Sequence, residues 1–241
     1  MKVALCLHGL FNSTTDNNSN GYDGFTHIKK NILDVVDTDV FVHSWEIEKM
    51  GDINTLYNPK SSIFEGQVDF SSVINKNGLN TLKSPPRSPQ SVLSHLYSVG
   101  KSLNLAFESN TNYDIIIKAR FDLGRINRET SGPGKGNPYP VQCINFKSNI
   151  EDDKIYMADW QHFNMGPADM WFYGSSDVMK SFTTLYKSVE KNMKIDSENY
   201  DEIYEMLFVK LDNKPQFISD IFKLCFNRLE TIKDIKITIS K

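Results

Sequence analysis

Cysteine is scarce in this chain of 241 residues. Cys6, Cys143 and Cys225 are an odd, widely spaced set with no metal-ligand spacing. That argues against a disulfide framework and predicts a reducing, cytosolic setting in which the thiols are buried filler. Long hydrophobic runs are missing too. No apolar stretch approaches the roughly 20 residues that span a bilayer, and Met1-Lys2-Val3-Ala4-Leu5-Cys6-Leu7 is too short for a signal peptide, so a soluble protein without a transmembrane segment is expected. Nor is there an excess of charge of one sign: 27 Lys and Arg stand against 30 Asp and Glu, a net of −3. With the basic residues scattered, no electrostatic footprint for nucleic acid or an anionic membrane exists.

What the chain does have is enough apolar content, 39 %, to bury a sizeable core as one domain over residues 1–241. Its centre is Tyr113-Asp114-Ile115-Ile116-Ile117-Lys118-Ala119-Arg120-Phe121-Asp122-Leu123. Three consecutive isoleucines fit a central strand buried on both faces better than an amphipathic helix. Arg120 and Asp122, two apart, project to the same side where the strand leaves the sheet. In an open α/β sheet that carboxyl end is where ligands bind. A carboxylate there can hold a divalent cation and a guanidinium can meet phosphate oxygens, a pairing suited to a diphosphate-bearing substrate. The same two residues also read as a structural ion pair.

Residues 3–7 read as a first buried strand breaking at His8-Gly9, followed by a polar loop to about residue 22. Gly9 lets a ligand approach the backbone. Phe25, Ile28, Ile32 and Val35 mark one helix face, and Val40-Phe41-Val42 a second strand ending at His43, Ser44 and Trp45. That strand–helix–strand opening predicts a doubly wound α/β fold with a mostly parallel sheet. Residues 46–87 read as loop with short helical or strand pieces. Ser88-Pro89 predicts an N-cap and first helical residue, followed by the stripe Val92, Leu96, Val99, Leu103 and Phe107, with Ser91, Ser94, Tyr97, Ser98 and Lys101 on or beside the flanks. The stretch from Gly124 to Pro140, with Arg125, Arg128 and Lys135, predicts a mobile basic loop. Ile155-Tyr156-Met157 reads as a short strand, and Asp169 lies between a turn and an aromatic strand. A helix faced by Val178, Phe182, Leu185 and Val189 follows, then helices near 198–211 and 215–229 and a final strand at 235–239.

Five stretches together resemble one family. Met1-Lys2-Val3-Ala4-Leu5-Cys6-Leu7-His8-Gly9, Asp39-Val40-Phe41-Val42-His43-Ser44-Trp45, Leu93-Ser94-His95-Leu96-Tyr97-Ser98, the segment Tyr113 to Leu123, and Ala168-Asp169-Met170-Trp171-Phe172-Tyr173-Gly174-Ser175-Ser176 occur in the order seen in GT-A-like glycosyltransferases of viruses, phages and bacterial surface-glycan clusters. The resemblance covers residues 1 to about 190. It implies a Rossmann-like sheet that binds a nucleotide sugar, with Mn²⁺ or Mg²⁺ as the cation, and transfer of the sugar to a glycan or other hydroxyl acceptor in the cytoplasm of a bacterium or an infected host cell. His8, Gly9, Ser94, Ser98, Lys101 and Arg120 are then the candidate nucleotide-sugar contacts. Asp122 stands at the Asp-x-Asp metal position, and Asp169 faces the acceptor. Three departures stand out: Arg120 replaces the leading acid of Asp-x-Asp, Leu10-Phe11-Asn12-Ser13 lacks an arginine many relatives carry, and no histidine follows His162 to serve a metal.

Asp122 and Arg120 would stabilise the leaving diphosphate, and Asp169 is the candidate general base, with Asp159 or Glu46 behind it. Trp171 and Tyr173 offer stacking faces. Two other classes compete. One is a nucleotide-sugar or glycan-binding module without catalysis, consistent with the altered Asp-x-Asp pattern. The other is an α/β-hydrolase-like esterase, since Leu7-His8-Gly9-Leu10-Phe11 resembles an oxyanion turn. That class requires Gly-x-Ser-x-Gly and a late histidine. Gly174-Ser175-Ser176-Asp177-Val178 lacks the second glycine.

Overall fold

A computed structural model of the chain describes residues 1–12, 21–76, 88–127, 139–140, 143–144, 146–152, 155–158, 170–184, 186, 210–211, 214–215 and 236–238. Its centre is a mixed, mostly parallel sheet. The strands are β1 (Val3–Gly9), β2 (Thr38–Ser44), β3 (Ser61–Phe64), β4 (Ile115–Arg120), β7 (Ile155–Ala158) and β8 (Trp171–Ser175), with the short β11 (Lys236–Thr238) on the outer edge of β7. The order is β11-β7-β8-β4-β1-β2-β3, and β8 runs antiparallel to both of its neighbours. Small ribbons pair β5 (Ile126–Asn127) with β6 (Tyr139–Pro140) and β9 (Lys210–Leu211) with β10 (Lys214–Pro215).

Alternation along the central strands builds two cores. Val3, Leu5 and Leu7 of β1 and Ile115 and Ile117 of β4 point to one face, where Ile28 and Ile32 and helix α2 (Met50–Tyr57) cover them. Ala4, Cys6, Phe41 and Ile116 point to the other, under helix α4 (Pro89–Glu108). A strand buried on both faces forces any polar member inward, so Lys118 of β4 is wholly buried, its ammonium 5.1 Å from the Phe172 ring centroid.

Helix α4 starts as its sequence predicts: the Ser88 side chain accepts from the Ser91 N–H and Pro89 occupies the first turn. Leu93, Leu96, Val99, Leu103 and Ala106 are buried, and Phe107 packs at the margin; the Val92 side chain lies outside the described residues. A Cβ at Gly100 would make an ordinary van der Waals contact, 3.4 Å from the Thr183 carbonyl oxygen, so close packing does not require the glycine. Ser94 and Ser98 are not flank residues but face the sheet, nearly or wholly buried, and Ser102 is buried as well. Polar groups at the strand ends need partners there.

Other expectations are corrected. Helix α1 (Gly21–Ile28) continues as a wider π turn over Lys29–Leu33, so the register shifts, Val36 packs inward and Val35 is 64 % exposed. Residues 46–76 do hold short helical and strand pieces between loops, as expected: α2, the edge strand β3 and helix α3 (Ser71–Lys76). Lys210–Leu211 and Lys214–Pro215 form a ribbon where helix ends were expected, and the remainder of both C-terminal helices lies outside the described residues. The final strand is present and pairs parallel with β7. Most of the basic loop, residues 128–138, is also outside. Among the described residues no helix is long and apolar enough to cross a membrane.

Candidate functional site

The sheet register brings three strand ends together. His8 of β1 pairs with His43 of β2 on one side and with Arg120 of β4 on the other, so all three leave the sheet at its carboxyl edge on the α4 face. Between β1 and β4 the strand order changes direction, running to β2 and β3 one way and to β8 the other. Such a switch point opens a crevice. A cleft of about 540 Å³ lies there, lined by His8, Gly9, Trp45, Ser94, Arg120 and Asp122 together with Leu10, Gln67, Gln90, Ser91 and His95.

Arg120 and Asp122 close on each other. Nε donates to Oδ1 at 2.9 Å and Nη2 to Oδ2 at 2.7 Å, a bidentate pair in which the carboxylate is buried and the arginine side chain is one-third exposed. Asp122 therefore has both oxygens engaged. Among the described residues no group of three His, Cys, Asp or Glu side chains is placed to hold a metal ion. With both its oxygens held by Arg120, Asp122 does not fit the divalent cation that the Asp-x-Asp position implies.

Gly9 has φ +94°, a left-handed conformation that suits glycine, and a Cβ there would meet nothing within 4 Å. Its N–H donates to Ser98 Oγ at 3.0 Å. The Glu65 carboxylate can only accept, so the neutral His43 ring donates from Nε2 to Glu65 Oε1 at 2.9 Å, and its Nδ1 accepts the Ser98 hydroxyl proton at 2.7 Å. Ser98 is thus a buried strut under the glycine turn rather than a cleft residue. Lys101 is not at the cleft either; its ammonium lies 5.1 Å from the Tyr97 ring centroid. Glu46 accepts from the backbone N–H groups of Phe11 and, at 2.9 Å, Asn12, which anchors the loop after β1 and leaves it poorly placed as a base. The far wall is tied down by Gln67 donating to Ser94 Oγ at 2.5 Å, and by Gln90 accepting from the Phe70 N–H and donating to the Val68 carbonyl at 2.9 and 2.6 Å. Trp45 stacks on Tyr97 at 5.6 Å.

Of the sequence candidates, His8, Gly9, Ser94, Arg120 and Asp122 meet in this cleft. Asp169, with Asp159 and His162, lies outside the described residues. Trp171 and Tyr173 are buried, stacked on one another at 5.8 Å, and so are not open sugar platforms. Ser175 of the hydrolase reading is a structural group: it donates to the Asp152 carbonyl at 2.6 Å and accepts from the Val178 N–H at 3.4 Å, capping α5 (Ser176–Lys180). The sequence reading missed Gln67, Gln90 and His95. It also missed Lys118, whose signal was its place inside a strand buried on both faces. No protein-family model and no curated protein sequence matches the chain.

Three histidines near this edge are held neutral. Burial pushes His8 well below its ordinary 6.5, with Lys118, His95, Arg120 and His43 adding to the effect; burial also lowers His43 and His27. The unfolded chain takes up protons below about pH 6.5 that the folded chain refuses. Stability is therefore full above that pH and falls as the pH drops, by up to about 1.4 kcal/mol per unit for each imidazole that stays neutral. Urea unfolding at pH 7.5, 6.5 and 5.5 should show this decline, and a protein more stable at pH 5.5 than at 7.5 would contradict it.

Proposed function

We propose that the chain is a GT-A-like, nucleotide-sugar-dependent glycosyltransferase whose donor lies in the cleft between the ends of β1 and β4. The observation that carries this reading is the meeting of Gly9, His8, Arg120 and Asp122 at the switch point of a mostly parallel sheet. The open side of Gly9 allows a nucleotide close to the backbone, and Arg120 supplies positive charge for a diphosphate. In the reaction, an acceptor hydroxyl oxygen bonds to the anomeric carbon while the bond to the diphosphate breaks. The diphosphate leaves with the electron pair, and an inverting reaction passes the hydroxyl proton to a base, for which Asp169 remains the proposed residue. Charge developing on the leaving group meets Arg120, while Asp122 holds the guanidinium in place.

One observation favours a second reading, a nucleotide-sugar or glycan-binding module without catalysis. Asp122, the residue at the expected metal position, is fully engaged by Arg120. Isothermal titration with UDP, GDP, dTDP and CDP sugars, with and without Mn²⁺, tests the shared claim of binding. At least one sugar nucleotide should bind, and chelator should leave the affinity unchanged if Arg120 is the neutralising group. No binding across the panel would remove both readings. Donor hydrolysis in the absence of acceptor then separates enzyme from binder.

A further inference from the structure

His8 lines the cleft with only 1 % of its surface exposed, and neither Nδ1 nor Nε2 has a hydrogen-bond partner among the described residues. At the cleft the His95 ring meets it edge-on with centroids 4.9 Å apart. A buried polar side chain without partners is destabilising and calls for a reason. The ring is neutral, as burial without a carboxylate partner requires, so one nitrogen is a donor and the other an acceptor. A phosphate or carboxylate oxygen can satisfy only the donor. A hydroxyl group can satisfy either nitrogen, because it both accepts and donates.

The surroundings match that demand. The cleft lining combines the Arg120–Asp122 pair with the polar side chains of Gln67, Gln90, Ser91, Ser94 and His95 and the Trp45 ring. We infer that His8 is the hydroxyl-reading residue of this cleft, bonding a hydroxyl of a sugar ring next to a diphosphate held at Arg120, its neighbour across the β1–β4 pairing. The inference rests on the proposed sugar-nucleotide reading of the cleft and adds to it the residue that recognises the sugar hydroxyls. Those hydroxyls belong either to the ribose of the nucleotide or to the transferred hexose.

The test uses the full chain labelled with ¹⁵N in its histidine rings and titrated with uridine, UDP, UDP-glucose, UDP-N-acetylglucosamine, GDP-mannose, methyl glucoside and pyrophosphate. The His8 ring nitrogens should shift with a sugar-bearing ligand and not with pyrophosphate; a shift with uridine and UDP assigns the ribose, and one confined to the sugar nucleotides or the glycoside assigns the hexose. His8→Phe keeps the ring and its edge contact and should lose at least about tenfold in affinity for that ligand while unfolding at a higher temperature than the parent. Binding by a sugar nucleotide with His8 signals unmoved, or a response to pyrophosphate alone, overturns the inference and leaves the glycosyltransferase reading standing. Absence of binding by every member of the panel removes both. A His8→Phe protein that is folded and binds as tightly as the parent also overturns it.

Discussion

Replacing Arg120 with methionine is expected to abolish binding of any diphosphate-bearing ligand and to destabilise the fold by about 3 kcal/mol. The guanidinium is the cation lining the cleft, and its Nε and Nη2 hold both oxygens of Asp122, a residue 5 % exposed. Removal leaves that carboxylate buried and unpaired, which is the costly half of breaking an ion pair; the low end of the usual range applies because Arg120 itself is partly exposed. Arg120→Lys should restore charge but not the two parallel hydrogen bonds, and so recover only part of either loss. Arg120→Met combined with Asp122→Asn should recover stability without recovering binding, since no buried charge is then left over. Urea unfolding and isothermal titration on the four proteins separate these effects. Equal stability of Arg120→Met and parent would mean that the pair does not hold the strand exit.

Gly24→Ala should be at least as damaging, although it changes no charge and touches no cleft residue. A Cβ at Gly24 would overlap the Phe121 carbonyl oxygen and lie 2.9 Å from its carbon and 3.3 Å from the Leu123 carbonyl oxygen. Backbone cannot swing aside as a side chain can, so helix α1 or the turn after β4 has to move. Overpacking of this kind destabilises by about 1–3 kcal/mol, and the upper end is expected where the obstacle is main chain. Phe121 stands between Arg120 and Asp122, so the displaced carbonyl also shifts the ion pair. The variant should lose stability and ligand affinity together, read by thermal unfolding and titration. A folded variant with parental affinity would show that α1 does not set the geometry of the strand exit.

The centre of the fold was legible because its signals are local and strong. Three isoleucines in a row mark β4, Ser88-Pro89 caps α4, and strict alternation marks β11. The strand-exit residues of the candidate cleft were legible for the same reason: Arg120 and Asp122 follow directly from the end of that strand, and Gly9 from the end of β1. Helix α2 and strand β3 were not, since α2 buries only Ile53 and Tyr57 and β3 is a half-buried edge of four residues. Ser94 and Ser98 of α4 were placed on its flanks although they lie four residues apart, on one helical face. Their direction depends on Gly9, His43 and Gln67, distant in sequence, and no local pattern announces such partners. Val35 was assigned inward because a π turn cannot be read from a 3.6-residue period.

A crystal soaked with the sugar nucleotide that binds best tests the central claim most directly. The account predicts ligand density in the cleft at the carboxyl edge, with the diphosphate at Arg120 and a hydroxyl-bearing ring within hydrogen-bond distance of His8. The opposite, amino-terminal side of β2 offers a second cavity of about 500 Å³ lined by Thr38, Asp39, Tyr57, Asn58 and Lys60. Density there, with the cleft between β1 and β4 empty, would contradict the account.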